Sequence, residues 1–309
     1  MVRTKLMIAL AWAGALAAVP VAWAGNPGEV GMLSLRLGIG AREAAMGGAA
    51  VAASEGAAAL YWNPANNALL ERRTDLLLQH HSYLGLFNHE AAAVAHRAGG
   101  GVIGLMFSGL YAEELVRRGE EQVGVPEGTF RPYDVTFGLS YARALGDRFA
   151  AGLTAKFLYE RIDLYSDTGL AFDLFLTHRA LIEGLVFGAS LTNVGGQMNL
   201  RTQPFDLPVA ARLGAAWTPD AGAFRGRVTL VADVVFPNDA TEEKMHFGAE
   251  YRLLSEFALR AGTRVHYENQ GLTAGAGFRT GRLNVDYAFE ESKVSGFDDG
   301  HKFSLGVAW

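Results

Sequence analysis

Phe257-Ala258-Leu259-Arg260-Ala261-Gly262-Thr263-Arg264-Val265-His266-Tyr267-Glu268 is the stretch whose reading decides the fold. At a period of two it separates into Phe257, Leu259, Ala261, Thr263, Val265 and Tyr267 on one side and Ala258, Arg260, Gly262, Arg264, His266 and Glu268 on the other. Successive side chains of a strand point to opposite faces, so this strand has one apolar face and one face rich in charge. No soluble sandwich would bury the second face. Lipid outside and a polar interior suit a transmembrane barrel strand.

The pattern repeats outward from that stretch. Phe149, Ala151, Leu153, Ala155, Phe157 and Tyr159 oppose Gly152, Thr154, Lys156 and Glu160, and Leu283, Val285, Tyr287 and Phe289 oppose Asn284, Asp286 and Glu290. Any one such strand would also serve a soluble antiparallel sheet; a dozen in series favours closure in lipid. About fourteen segments can be counted, at 75–84, 88–97, 102–110, 132–143, 148–161, 169–178, 184–192, 208–217, 226–236, 244–252, 256–267, 272–279, 282–290 and 301–309. Short links at 99–101, 146–147, 254–255 and 280–281 alternate with generally longer ones, including 111–131, 193–207, 237–243 and 291–300. The long set is expected outside the cell and the short set in the periplasm. The expected fold is therefore all-β: a transmembrane antiparallel β-barrel over residues 75–309, in a Gram-negative-type outer membrane.

Composition agrees. The chain has 38 Gly, 50% hydrophobic and only 19% charged residues, too apolar for an ordinary soluble surface yet without long apolar runs after residue 24. Before that point, Arg3 and Lys5 precede an apolar run ending in Ala22-Trp23-Ala24, the pattern of a cleavable export signal over residues 1–24. No cysteine is present, so no disulfide framework supports the fold. The net charge of -5 without a basic block argues against nucleic acid as a partner. The last strand alternates Phe303, Leu305, Val307 and Trp309 against Lys302, Ser304, Gly306 and Ala308. Its aromatic ending resembles the signal read by barrel-assembly machinery, which makes that machinery and outer-membrane lipid expected partners.

Residues 25–74 do not alternate. An Ala-rich run from Ala41 to Ala53 contains Gly47-Gly48 and is followed by Gly56 to Trp62 and then Asn63-Pro64-Ala65. Small side chains pack closely against a wall, and a fourteen-stranded lumen is wider than its own side chains can fill. The segment reads as a small helical hatch inside the barrel. The run Leu37 to Ala49, with Met46, Gly47 and Gly48, followed by Ala59-Leu60-Tyr61-Trp62-Asn63-Pro64-Ala65, resembles the N-terminal signature of the PorV/PorQ family, related to FadL-like fatty acid transporters. The chain departs from it at Asn66-Asn67, where that family more often has Gly-Leu. The resemblance implies a fourteen-stranded barrel with a hatch. It further implies attachment of exported cargo or secretion components in a type IX-like system, or, as the alternative, a channel for a hydrophobic ligand.

No catalytic, metal or cofactor motif stands out. Gly99-x-Gly101-x-x-Gly104 is followed by a strand where a dinucleotide fingerprint needs a helix. His80-His81 and His89-Glu90 lack metal-ligand spacing. The expected lumen charges are Lys156, Glu160, Asp173, Arg212, Glu250, Arg260, Arg264, Glu268 and Asp286. Their signs roughly balance, whereas a selective pore concentrates one sign, so cross-lumen pairing is the favoured role.

Overall fold

The computed structural model describes residues 30–70, 73–118, 127–219, 226–240, 242–253 and 255–309. The expected export signal lies outside them. The described strands, in chain order, are Thr74–Tyr83 (β1), Phe87–Ala98 (β2), Gly101–Ala112 (β3), Leu115–Arg117 (β4), Gly128–Phe130 (β5), Tyr133–Ala144 (β6), Phe149–Ile162 (β7), Tyr165–Arg179 (β8), Leu185–Gly195 (β9), Met198–Leu200 (β10), Gln203–Phe205 (β11), Ala210–Trp217 (β12), Gly226–Pro237 (β13), Lys244–Leu253 (β14), Phe257–Val265 (β15), Gln270–Thr280 (β16), Leu283–Ser292 (β17) and Gly300–Ala308 (β18). Hairpins β4–β5 and β10–β11 stand in two long connections, and the other fourteen strands form a closed barrel in which each pairs with its sequence neighbour. Closure is made by β18 on β1, from Asp75 opposite Ala308 to Ser82 opposite His301. The backbones of Thr74 and Trp309 exchange hydrogen bonds of 3.0 Å beyond that.

The expected fourteen strands are present. Their ends differ where the backbone turns left-handed. The strand expected to reach Tyr267 stops at Val265, because His266 takes φ 64. Glu268 is therefore an exposed rim residue and not a strand residue of the lumen. In the opposite sense β8 begins at Tyr165, four residues earlier than 169, because Asp163 with φ 55 makes a tight turn. That turn and Leu84–Leu86 share the rim carrying the long connections, so the rims differ in their longest loops and not in every loop.

Facing follows the period of two. Leu259 is 63% exposed and its neighbour Arg260 only 7%. Across the ladder Tyr251 opposes Leu259 and Glu250 opposes Arg260, so apolar and polar rows run continuously around the wall. Inside, the described part of the hatch runs from Val30, bridged to Asp206 of the outer connection. It passes through helical turns at Leu33–Arg36, Ala41–Ala45, Gly56–Ala58, Ala59–Trp62 and Ala65–Ala68. Ala41, Ala44 and Ala45 pack on Ala288 of β17, and Ile39, Ala57, Ala58 and Leu60 pack on the alanines of β2 and on Val102 and Met106 of β3.

This facing makes a quantitative forecast. Leu259→Arg should destabilise the inserted barrel by about 2–4 kcal/mol if it lies near the bilayer midplane, read as a shifted midpoint in a denaturant titration in lipid vesicles, whereas Leu259→Ala should shift it far less. Equal midpoints for the two variants would mean that Leu259 does not face lipid.

Candidate functional site

The hatch meets the wall most closely at Met46-Gly47-Gly48. Gly47 and Gly48 have φ 72 and 76, which glycine adopts without steric cost. Facing them are wall glycines: a Cβ on Gly248 of β14 would lie 2.4 Å from Met46 O, and one on Gly262 of β15 would lie 2.3 Å from Gly47 N. Backbone thus approaches backbone, and wall side chains satisfy the freed polar groups. Thr273 Oγ1 accepts from Gly47 N at 2.9 Å and donates to Ala45 O at 3.0 Å. His246 donates from Nδ1 to Gly47 O at 2.6 Å, Arg264 from Nε to the same oxygen at 3.1 Å, and Arg212 to Gly48 O at 2.8 Å. Asp233 accepts from the backbone of Ala50 and Val51 at 2.9 and 3.1 Å.

Asn63-Pro64-Ala65 is the second anchor. The Asn63 carboxamide oxygen accepts from Ala65 N at 3.1 Å, an Asx turn that starts the helical turn after it. Its amide nitrogen reaches Val51 O, Leu176 O and Thr177 Oγ1 at 2.9–3.0 Å. Pro64 packs where Gly152 of β7 has no side chain. The departure at Asn66-Asn67 adds clamps: Asn67 accepts from Gly56 N and donates to Gly56 O, and Asn66 donates to Ser54 O while accepting from Thr177 Oγ1 at 2.6 Å.

The expected lumen charges are largely paired. Lys156 contacts Asp173 at 2.7 Å, and Arg212 contacts Asp233 at 3.2 Å and lies 5.0 Å from the Trp62 ring centroid. Glu250 takes Arg260 at 2.7 Å, Arg252 at 2.9 Å and the hatch's Arg42 at 2.9 Å, while Arg260 continues to Asp286 at 2.7 Å. Arg264 pairs with Glu290, which also takes His81 at 2.9 Å. Glu160 and Glu268 have no ion-pair partner among the described residues. Within the hatch, burial raises the Glu43 pKa against the pull of Arg42, and burial pushes the Tyr61 hydroxyl up to about 12, leaving it a neutral donor to Leu35 O at 2.7 Å.

Asp233, Glu290, Lys302, His81, His246 and Arg42 were not among the expected site residues. Glu290 and Lys302 do fall on polar faces of their strands, and Asp233 interrupts an apolar run, so the alternation carried a signal for them. Arg42 had none, since its partner Glu250 is 208 positions away.

The hatch divides the lumen into two vestibules. The outer one, about 480 Å³, has the Leu33–Arg36 turn, Tyr61 and Trp62 on the hatch side and Val235, Tyr267 and Lys302 among its wall residues. The inner one, about 910 Å³, lies under Ala52, Ala53 and Leu69, with Arg179, Arg227 and Arg252 around it. The last strand's Phe303, Leu305 and Val307 face outward along β18 beside the closing ladder.

These elements make a closed fourteen-stranded barrel with an apolar outer face and a hydrogen-bonded internal hatch, the fold of an outer-membrane β-barrel. No protein-family model and no curated protein matches the chain. Among solved structures it is similar to the toluene transporter TbuX of Ralstonia pickettii, with 17% identity over 88% of this chain and 98% of that one and a TM-score of 0.64. It is similar to the monoaromatic hydrocarbon channel CymD, with 13% identity, the same coverage and a TM-score of 0.64. It also resembles the Pseudomonas putida toluene transporter TodX, with 13% identity over 88% of this chain and 96% of that one and a TM-score of 0.60. At these identities the likeness establishes fold. The fourteen-stranded barrel with a hatch that the hatch resemblance implied is present, and the narrower PorV/PorQ reading gains nothing from these structures.

Two forecasts test the hatch contacts. Gly262→Val should displace Met46-Gly47-Gly48 while the barrel still folds, seen as raised ion conductance in planar bilayers and new protease cleavage within residues 30–70; an unchanged, resistant hatch would refute the tight seam. Glu250→Ala should cost about 3–5 kcal/mol, because it leaves buried guanidiniums without their shared carboxylate. A denaturant titration showing under about 1 kcal/mol of loss, the range of exposed pairs, would mean that water solvates this cluster.

Proposed function

We propose that the protein is an outer-membrane channel admitting small hydrophobic molecules through the outer vestibule and past the hatch. The observation that carries this is how the vestibule's polar groups are committed. Lys156 is spent on Asp173, Arg212 on Asp233 and Gly48 O, Arg264 on Glu290, and Lys302 on Leu37 O and Gly38 O. Beside these committed charges the chamber presents Leu33, Leu35, Tyr61, Trp62, Val235 and Tyr267 as aromatic and aliphatic surface, along with polar groups such as Glu268 and Asn269, in a volume within the usual range for small-molecule sites. The printed descriptions of the similar barrels, toluene transporters and a monoaromatic hydrocarbon channel, agree with this class.

The alternative from the hatch signature is attachment of exported cargo in a type IX-like system, which needs a free outer surface. Hairpin β10–β11 is fastened to the barrel mouth by Met198, buried against Met32, Leu158, Ala171 and Leu207, while Asn199 and residues 201–204 stay exposed. The channel reading is preferred because the similar barrels are described as channels and transporters.

Toluene added to the purified protein should quench or shift Trp62 fluorescence saturably, and vesicles containing the protein should take up toluene faster than empty ones. Replacing Tyr61 and Tyr267 together by Ala should weaken binding about tenfold, taking aromatic contacts at about 0.5–1.5 kcal/mol each. Uptake equal to that of empty vesicles, with specific capture of exported proteins, would overturn the channel in favour of attachment.

A further inference from the structure

The outer mouth contains one lumen cluster in which the charges do not balance. Asp134 on β6 and Glu160 on β7 are direct cross-strand partners, and Glu160 on its other side faces Asp167 of β8. Three carboxylates thus stand in one row. Like charges directly opposite each other in an antiparallel ladder repel. Asp173, Asp233, Glu250, Asp286 and Glu290 each have an arginine or lysine; among the described residues Asp167 accepts the Asn199 backbone N–H at 2.6 Å and has no ion-pair partner.

The neighbouring polar atoms are unsatisfied in the same place. Asp134 Oδ1, Glu160 Oε2 and Thr136 Oγ1 have no hydrogen-bond partner among the described residues, the Ser34 hydroxyl lies beside the Asp134 carboxyl, and Ser34, Thr136 and Asp134 are 1, 1 and 5% exposed. Thr136 lies two residues from Asp134 on the same face of β6. Ser34 comes from the hatch and donates its backbone N–H to Asp134 Oδ2 at 3.4 Å. Buried polar atoms are nearly always partnered. Unpartnered oxygens beside two facing carboxylates are what a bound cation would satisfy.

We propose that Asp134 and Glu160, with the hydroxyls of Ser34 and Thr136, bind a calcium ion that fastens the start of the hatch to β6 and β7. The donors are all hard oxygens. Calcium accepts six to eight such oxygens in irregular geometry, with water completing the shell, whereas magnesium requires near-ideal octahedra. Zinc favours the nitrogen and sulfur donors that this cluster lacks. The site is independent of what the channel carries.

The test uses the full-length purified protein, freed of lipopolysaccharide and chelator-treated in a zwitterionic detergent. Terbium luminescence should report one site that calcium displaces, and calcium should raise the unfolding temperature. Asp134→Asn and Glu160→Gln should each weaken calcium binding at least tenfold, and in chelator each should unfold at a higher temperature than the parent, since one repelling charge is gone. Should either variant fail to fold, Thr136→Val and Ser34→Ala should still weaken binding. An unfolding temperature indifferent to calcium would overturn the proposal, and a pH-dependent one in its place would assign the cluster to a proton shared between the carboxyls. Calcium binding undiminished in the carboxamide variants would equally overturn it, by placing the ion elsewhere.

Discussion

The rest of the interior depends on one close approach, that of the hatch backbone at Met46-Gly47-Gly48 to the wall backbone at Gly248 and Gly262. A barrel of this width cannot be filled from its own strands, and here the hatch crosses the lumen and hydrogen-bonds to the wall. Glycine on both sides removes the methyl layer that normally separates two backbones. The carbonyls and N–H groups of the hatch then fall within reach of Thr273, His246, Arg264 and Arg212. Any side chain in the seam would lift the hatch off these donors and leave both partners buried and unsatisfied, which costs more than the contact itself.

The charges around that seam share the same logic. Glu250 is held by a hatch arginine and by two arginines of the wall, so hatch and barrel contribute to a single cluster that neither completes alone. Such a cluster contributes little net stability compared with an apolar core, and breaking it is costly. It therefore fixes where the hatch sits more than how tightly it binds. Asn63, by contrast, anchors the far end with neutral hydrogen bonds to Leu176 and Thr177. The two ends of the hatch are thus held by different chemistry, on different strands.

The barrel was legible in the sequence because one rule, alternation, is read locally and applies to every strand. Leu259 and Arg260 declare their faces without knowledge of any partner. Strand ends were less legible, since His266 and Asp163 leave the β region through positive φ angles that non-glycine residues seldom advertise. The hatch was visible as an Ala/Gly segment and a motif, yet its contacts were not: the partners of Gly47 and Arg42 lie about two hundred residues away. Pairing across a lumen depends on which strands close on which level, a property of barrel geometry and not of any short window. Hence Lys156 and Asp173 could be named as lumen charges, while Asp233 and Glu290, which hold the hatch and the His81 side, were passed over.

The vestibules follow from this division of labour. Tyr61 and Trp62, next to the Asn63 anchor, form the floor of the outer chamber and bond within the hatch, Tyr61 to Leu35 O and Trp62 to Ile39 O. The turn they bond to is itself tied to the wall, by Gln79 on Gly40 N and by Lys302 on Leu37 O and Gly38 O. A polar channel would have to free charges that are already paired, at the expense of the seam. On the proposed function an apolar solute would pass between aromatic surfaces and leave the ion pairs to the wall in place. The contacts that hold the hatch to the wall are thus compatible with the proposed passage of a hydrophobic molecule.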